Sequence, residues 1–138
     1  APAPIRYFYD TIAPFGMNPR LEYLNVLGSM GDDDITVEVT TAVRSAQVNG
    51  VSVQEGEVIG LVNGKLKVKG SSPVDAVLQA LAEIEAAGYE IITLYYGESV
   101  TEGGAEELAE KIREHYPDQE IEIVDGGQPH YHYILSAE

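Results

Sequence analysis

The clearest pattern along the chain is an alternation of apolar and polar positions that begins at residue 35. One side of this alternation carries Ile35, Val37, Val39, Thr41 and Val43. A period of two is typical of a strand with one buried face. Asn-Gly pairs follow at 49–50 and 63–64, and they favour tight hairpins because both residues tolerate positive φ. The pattern therefore predicts antiparallel hairpins from residue 35 onward, with a return strand that begins at Val51 and Val53.

Farther along, apolar residues recur every three or four positions in two segments, which predicts two amphipathic helices. The first helix begins at Ser72-Pro73, an N-cap followed by proline in the first turn, and Thr101 caps the second. Runs rich in β-branched and aromatic residues predict strands at 90–96, 120–124 and 131–136. This order predicts an α/β domain with a mixed sheet. Two strand–helix–strand crossovers form its parallel core, and the hairpins and the terminal strand add antiparallel pairs.

Residues 1–33 lack a comparable pattern, because four prolines interrupt any long element there. We therefore expect an N-terminal segment at 1–33, whose packing the sequence does not define, and an α/β domain at 34–138. The chain starts with Ala1-Pro2-Ala3-Pro4, which lacks the charged-then-apolar order of a signal peptide. The absence of an initiator methionine suggests a piece of a longer protein.

Composition narrows the class of protein. Cysteine is absent, which excludes a disulfide framework, a thiolate nucleophile and a cysteine-based zinc site. No apolar run approaches the ~20 residues of a membrane-spanning helix. We therefore expect a cytoplasmic protein without a transmembrane segment. The formal net charge of −15 repels phosphate backbones, so binding to nucleic acid is disfavoured.

The charged residues are unevenly distributed. Ten acids but only two bases lie between Glu98 and Asp125, which indicates either a solvated helix face or a surface for a basic partner; we favour the solvated face. Lysines alternate at Lys65, Lys67 and Lys69. Such a row can bind an anion, but exposed lysines are also typical of an edge strand protected against pairing. We favour edge protection.

If the strands at 90–96 and 120–124 are parallel, their carboxyl ends lie at the same edge of the sheet. Ligands of open α/β sheets bind at this edge, and the N-terminus of the second helix adds a partial positive charge there. The two connections that meet at this point are rich in glycine and in hydrogen-bonding side chains. We therefore predict a partner-binding or ligand-binding edge formed by Gly97, Glu98, Ser99, Thr101, Gly126, Gly127, Gln128, Pro129 and Tyr131.

Signals for catalysis and for metal binding are weaker. No serine–histidine–aspartate order stands out, and no glycine-rich phosphate-binding motif is present, so we predict no catalytic residue. His130 and His132 are two positions apart on the predicted last strand and would share one face of it. With Asp125 as a third ligand they could hold a metal ion. Surface or core imidazoles are the more frequent explanation, so a metal-dependent enzyme is the minor hypothesis.

Several motifs, taken in order, resemble the C-terminal domain of the bacterial fatty acid kinase protein that has a dihydroxyacetone-kinase-like ATP-binding domain. The resemblance covers roughly residues 36–138. It is most specific at the Tyr-Gly-Glu-x-Val-Thr loop, at 96–101, and at the Gly-Gly-Gln-Pro turn, at 126–129. This sequence departs from the family at Gly103-Gly104, where helix-favouring acids are expected, and at His132, where proline is common.

The resemblance implies a modular kinase. The N-terminal domain of the full-length protein binds ATP and magnesium. The C-terminal domain recruits a separate DegV-type fatty-acid-binding protein, whose bound acyl chain presents its carboxylate for phosphorylation. This chain would then be a partner-docking domain with no cofactor and no catalysis of its own, connected to the kinase domain of the same protein. The alternative is a stand-alone domain that binds a small molecule or an acyl ligand at residues 97–101 and 126–131.

Overall fold

The computed structural model describes residues 35–48 and 50–138, and the predicted segment at 1–33 lies outside them. The strands within the described residues are β1 (Ile35–Thr41), β2 (Ala46–Val48), β3 (Val51–Val53), β4 (Val58–Val62), β5 (Lys65–Gly70), β6 (Ile91–Tyr96), β7 (Glu120–Asp125) and β8 (Tyr131–Ala137). The helices are α1 (Pro73–Glu83) and α2 (Glu102–His115), and a short 3₁₀ turn covers Ala86–Gly88. The predicted α/β class is therefore confirmed.

Six of these strands form one sheet in the order β5-β4-β1-β8-β6-β7, and β2 and β3 form a separate two-stranded sheet. β6 and β7 pair in parallel, whereas the other neighbours in the six-stranded sheet are antiparallel. The mixed sheet is confirmed. The predicted parallel core is wrong, because β4, β1 and β8 separate β5 from β6. The terminal strand, β8, lies inside the sheet between β1 and β6.

The two Asn-Gly signals lead to different hairpins. Asn63 and Gly64 have φ values of 51° and 80° and join β4 to β5, as predicted. Gly50, with a φ of 78°, lies between β2 and β3. The return strand is confirmed, but β3 pairs with the short β2 and not with the alternating segment, because β1 pairs with β4 and β8.

Both helices begin at the residues that the sequence predicts. Ser72 Oγ accepts a hydrogen bond from the Asp75 amide at 3.1 Å, and Thr101 Oγ1 accepts one from the Gly104 amide at 3.0 Å. These caps satisfy amides that have no partner inside the helix. Within the described residues, neither helix has the length and apolar character needed to cross a bilayer.

Side chains from both helices pack on one face of the six-stranded sheet and form the larger core cluster. A smaller cluster on the other face joins β3, β4, β5 and β8 through Val53, Ile59, Leu61, Leu66, Tyr131 and Ile134. β1 lies between two strands and is buried on both faces, so Thr36, Glu38 and Thr40 are buried as well as the apolar residues that alternate with them. The prediction that this strand is only half-buried is therefore wrong.

Candidate functional site

The connections that follow β6 and β7 meet at one edge of the sheet, as the sequence predicts. The two strands are paired in register up to their last residues. The amides of Gly126 and Gly127 both donate to the Tyr96 carbonyl, at 3.0 and 3.1 Å. The Glu98 amide donates to the Gln128 carbonyl at 3.0 Å. Backbone hydrogen bonds therefore join the two connections directly.

We call residues 97–101 and 126–131 together the two-loop edge, and its centre requires glycine. A β-carbon at Gly97 would lie 2.1 Å from the Tyr131 carbonyl oxygen and 2.8 Å from the Gln128 carbonyl oxygen. Real β-carbons do not approach backbone atoms so closely, because the overlap is strongly repulsive. The backbones of the two loops can therefore touch only if position 97 has no side chain.

Gln128 holds the turn after β7 from the inside. Its side chain is buried, and its Nε2 donates to the Tyr95 carbonyl at 3.1 Å. A β-carbon at Gly126 would lie 2.1 Å from Gln128 Oε1. Gly127 has a φ of 60°, which glycine adopts at little steric cost. Both glycines therefore allow the turn to close around a buried amide.

The predicted site residues differ in their exposure. Gly97, Gln128 and Tyr131 are buried, so they shape the two-loop edge and cannot contact a partner. The exposed members are Glu98, Ser99 and Thr101, and the partly exposed members are Gly126, Gly127 and Pro129. The surface open to another molecule is therefore smaller than the sequence predicts, and its polar side chains come from the loop after β6.

His132 connects the two-loop edge to β1. Its Nδ1 lies 3.0 Å from Ser99 Oγ, and its Nε2 lies 3.0 Å from Thr41 Oγ1. Burial lowers the pKa of His132 below its ordinary value, because desolvation disfavours the imidazolium. A neutral imidazole has one N–H donor and one acceptor nitrogen. One hydroxyl therefore accepts from the ring while the other donates to it.

His130 does not share a strand face with His132. It precedes β8 and has a φ of 67°, and its carbonyl accepts a hydrogen bond from Thr40 Oγ1 at 2.6 Å. The prediction of two histidines side by side on a strand is therefore wrong. In the part of the chain that the structure describes, no three potential metal ligands, including the predicted Asp125, are grouped together.

An acidic surface borders the two-loop edge. Its exposed carboxylates on α2 and β7 are Glu102, Glu106, Glu107, Glu110, Glu114, Glu120, Glu122 and Asp125. Burial raises the pKa of the Tyr96 phenol, and the carboxylates of Asp125, Glu102 and Glu106 raise it further, because negative charge disfavours ionisation of the phenol. The acidic surface therefore reaches the end of β6, where the two-loop edge begins.

The arrangement suits binding better than catalysis. The Ser99 hydroxyl is hydrogen-bonded to the His132 ring, but the second ring nitrogen meets the Thr41 hydroxyl. A serine–histidine relay places a carboxylate at that position, where it stabilises the imidazolium. The exposed carboxylate and hydroxyls of the loop after β6 can instead exchange hydrogen bonds with another molecule.

Thr40 and Thr41 belong to this site, and the sequence gives no sign of it. Both contact the histidine segment from the end of β1, across sequence separations of 90 and 91 residues. Their positions depend on the pairing of β1 with β8. Local periodicity places both threonines on a strand but cannot identify the neighbouring strand.

Known proteins resemble this chain over most of its length. The family model of FakA-like C-terminal domains, from fatty acid kinases, matches residues 32–138. Protein YloV of Bacillus subtilis (strain 168) is 35% identical over 101 residues, which are 73% of this chain and 18% of YloV. An uncharacterised protein of Staphylococcus aureus (strain USA300) is 33% identical over 100 residues, 72% of this chain and 18% of that protein.

A solved structure is also similar. The Streptococcus pneumoniae fatty acid kinase B3 protein loaded with linoleic acid matches with a TM-score of 0.48 and 18% identity, over 85% of this chain and 48% of that chain. This chain spans 18% of the length of the two curated relatives. Because the family model covers residues 32–138, this chain belongs to the family of FakA-like C-terminal domains of fatty acid kinases.

Proposed function

We propose that this chain is the partner-docking domain of a fatty acid kinase. It recruits a DegV-type fatty-acid-binding protein, so that a kinase domain elsewhere in the same protein phosphorylates the carboxylate of the bound acyl chain. ATP and magnesium then belong to that kinase domain, and this chain supplies no catalytic residue. Membership of the family supports the kinase context.

The observation that carries the docking role is the preformed shape of the two-loop edge. The hydrogen bond between Glu98 and Gln128, and the close approach of Gly97 to Tyr131, fix the loop backbone. The side chains of Glu98 and Ser99 are exposed on this fixed loop. A preformed surface loses less conformational entropy on binding than a flexible one, so this loop is suited to contact another protein.

The acidic surface beside the two-loop edge indicates what the partner carries. Opposite charges steer two proteins together, raise their association rate and make binding sensitive to salt. A carrier protein with a basic patch would therefore approach this side of the domain. If the acids of α2 only solvate the helix, the affinity for a carrier protein will not depend on salt.

Isothermal titration calorimetry of this chain against DegV-type proteins tests the proposal. We expect binding at low salt that weakens as salt is added. Glu98→Lys should weaken binding by about tenfold or more, as charge reversal at a contact does. Glu83→Lys is the matched control, because Glu83 is exposed at the end of α1 and its reversal changes the net charge equally.

The same titration separates docking from ligand binding. Failure to bind any DegV-type carrier at low salt would refute the proposal. Thermal unfolding with fatty acids, acyl phosphates or nucleotides, measured without a protein partner, tests the stand-alone ligand-binding domain. A rise in the unfolding temperature that Ser99→Ala removes would favour that alternative.

A further inference from the structure

The two edges of the six-stranded sheet carry opposite charges. β5 forms one edge and exposes Lys65, Lys67 and Lys69, which confirms the predicted edge position of this strand. β7 forms the other edge and exposes Glu120 and Glu122. Like charges keep two β5 edges apart, and likewise two β7 edges. The same charges favour contact between a β5 edge and a β7 edge.

The lysines of β5 differ in their contacts. Lys69 Nζ donates to the Ser52 carbonyl at 3.1 Å and lies 3.6 Å from Glu57 Oε2. Lys65 and Lys67 form no ion pair and no side-chain hydrogen bond with the residues that the structure describes. Two ammonium groups at this edge are therefore available to carboxylates of another molecule.

A groove of about 390 Å³ lies at these two lysines and is lined by Val51, Lys65, Leu66 and Lys67. Leu66 is 2% exposed and forms an apolar floor. The register of β4 and β5 shifts here and leaves Lys67 without a paired residue on β4. Such a bulge interrupts the row of edge backbone groups, so an occupant meets side chains. The groove fits an apolar side chain that is flanked by carboxylates.

The opposite edge of the sheet presents that combination. Val124 of β7 is 40% exposed and is the large apolar side chain exposed within the described residues, and Glu122 lies two positions before it. Ile123 packs in the core cluster with α2, so Val124 and Glu122 lie on the face away from the helices. Leu66 and Val51 belong to the cluster on that same face.

We infer that a second copy of this chain occupies the groove, with Val124 of the second copy against Leu66 and the adjacent carboxylates against Lys65 and Lys67. The contact joins two different edges, so each pair retains one unoccupied groove and one unoccupied β7 edge. Such heterologous contacts add copies in series. This inference does not depend on the docking role of the two-loop edge.

Salt should affect this association in two opposite ways. The net charge of −15 opposes association at low ionic strength. At about 0.1 M salt the screening length is ~10 Å, which weakens the repulsion between whole molecules and leaves the short contacts between carboxylates and lysines. At about 1 M salt it falls to ~3 Å, and these contacts weaken too. Self-association is therefore strongest at intermediate salt.

Sedimentation velocity of the intact chain, at about 0.1 M salt, tests the inference. We expect the weight-average sedimentation coefficient to rise with protein concentration. Lys67→Glu should weaken self-association by about tenfold or more. Lys111→Glu is the matched control, because Lys111 is exposed on α2 and its reversal alters the net charge equally.

Two further variants complete the test. Val124→Ser should reduce self-association and leave thermal unfolding nearly unchanged, since substitutions at exposed positions have small effects on stability. Exchange of the charges in one chain, by Lys65→Glu, Lys67→Glu, Glu120→Lys and Glu122→Lys, should restore self-association. The inference is overturned if the chain sediments as a monomer at every concentration and salt, if Lys67→Glu and Lys111→Glu weaken association equally, or if the exchange restores nothing.

Discussion

The carbonyl oxygen of Tyr131 lies so close to Gly97 that even an alanine at position 97 would overlap it. Gly97→Ala should destabilise the fold by about 1–3 kcal/mol, as overpacking does, because a backbone oxygen of β8 cannot move without disturbing the sheet. Urea unfolding measures this loss. In Gly103→Ala, the new β-carbon meets only Thr101 Oγ1, at 4.0 Å, and helix propensity should stabilise α2 by up to about 1 kcal/mol. Equal effects at the two positions would contradict the close approach.

We expect the fold to lose stability as the pH falls through the ordinary pKa of histidine. Burial lowers the pKa of His132 in the folded state, so the unfolded chain binds the proton more readily. The stability that depends on the neutral ring is fully present above about pH 6.5 and is lost as the pH falls toward the folded-state pKa. Urea unfolding at a series of pH values measures the slope.

His132→Gln should reduce the slope of this pH dependence, because the titrating group is removed. His130→Asn is the control, since His130 is exposed and asparagine tolerates the positive φ found there. If the slope is the same in His132→Gln as in the parent chain, the buried ring is not its source.

Loss of the cap on α2 should be measurable. Thr101→Ala removes the oxygen that accepts from the Gly104 amide and should cost about 1 kcal/mol of folding free energy. Thr101→Ser retains the oxygen and should recover most of it. Chemical denaturation of the three chains checks this, and a serine variant as unstable as the alanine variant would argue against capping as the cause.

Charge reversal on α2 should slow the encounter with a carrier protein more than it speeds dissociation. Glu106→Lys changes a rim charge of the acidic surface, and such changes act mainly on the association rate and on its salt dependence. Stopped-flow binding at several salt concentrations separates the two rates. Glu83→Lys on α1 should leave the association rate close to that of the parent chain, and an equal decrease would indicate a net-charge effect alone.

The local elements could be predicted because their signals are local. Ser72 and Thr101 each precede a helix and bond its first turn, and Asn63-Gly64 forms the tight turn that its φ preferences favour. The convergence of the two connections could also be predicted, because it follows from one parallel pair of strands, β6 and β7.

The order of the strands could not be predicted, because it depends on long-range pairing. Nothing near residue 131 indicates that β8 enters the sheet beside β1, and this pairing brings Thr41 to His132. The left-handed φ of His130 is equally invisible in a sequence of alternating histidine and tyrosine. Period-two alternation predicted a shared strand face there, but the strand begins only at Tyr131.

The position of β8 also bears on how the chain folds as it is synthesised. β1, β4 and β5 with α1 form one half of the assembly, and β6 and β7 with α2 form the other. Among the described strands, β8 alone pairs with both halves, through β1 and β6. Residues 131–137 leave the ribosome after all the other described strands, so the inner edges of both halves stay open until then. A nascent chain therefore passes through a stage in which two unpaired strand edges can bind each other or a foreign strand, and synthesis of β8 ends it.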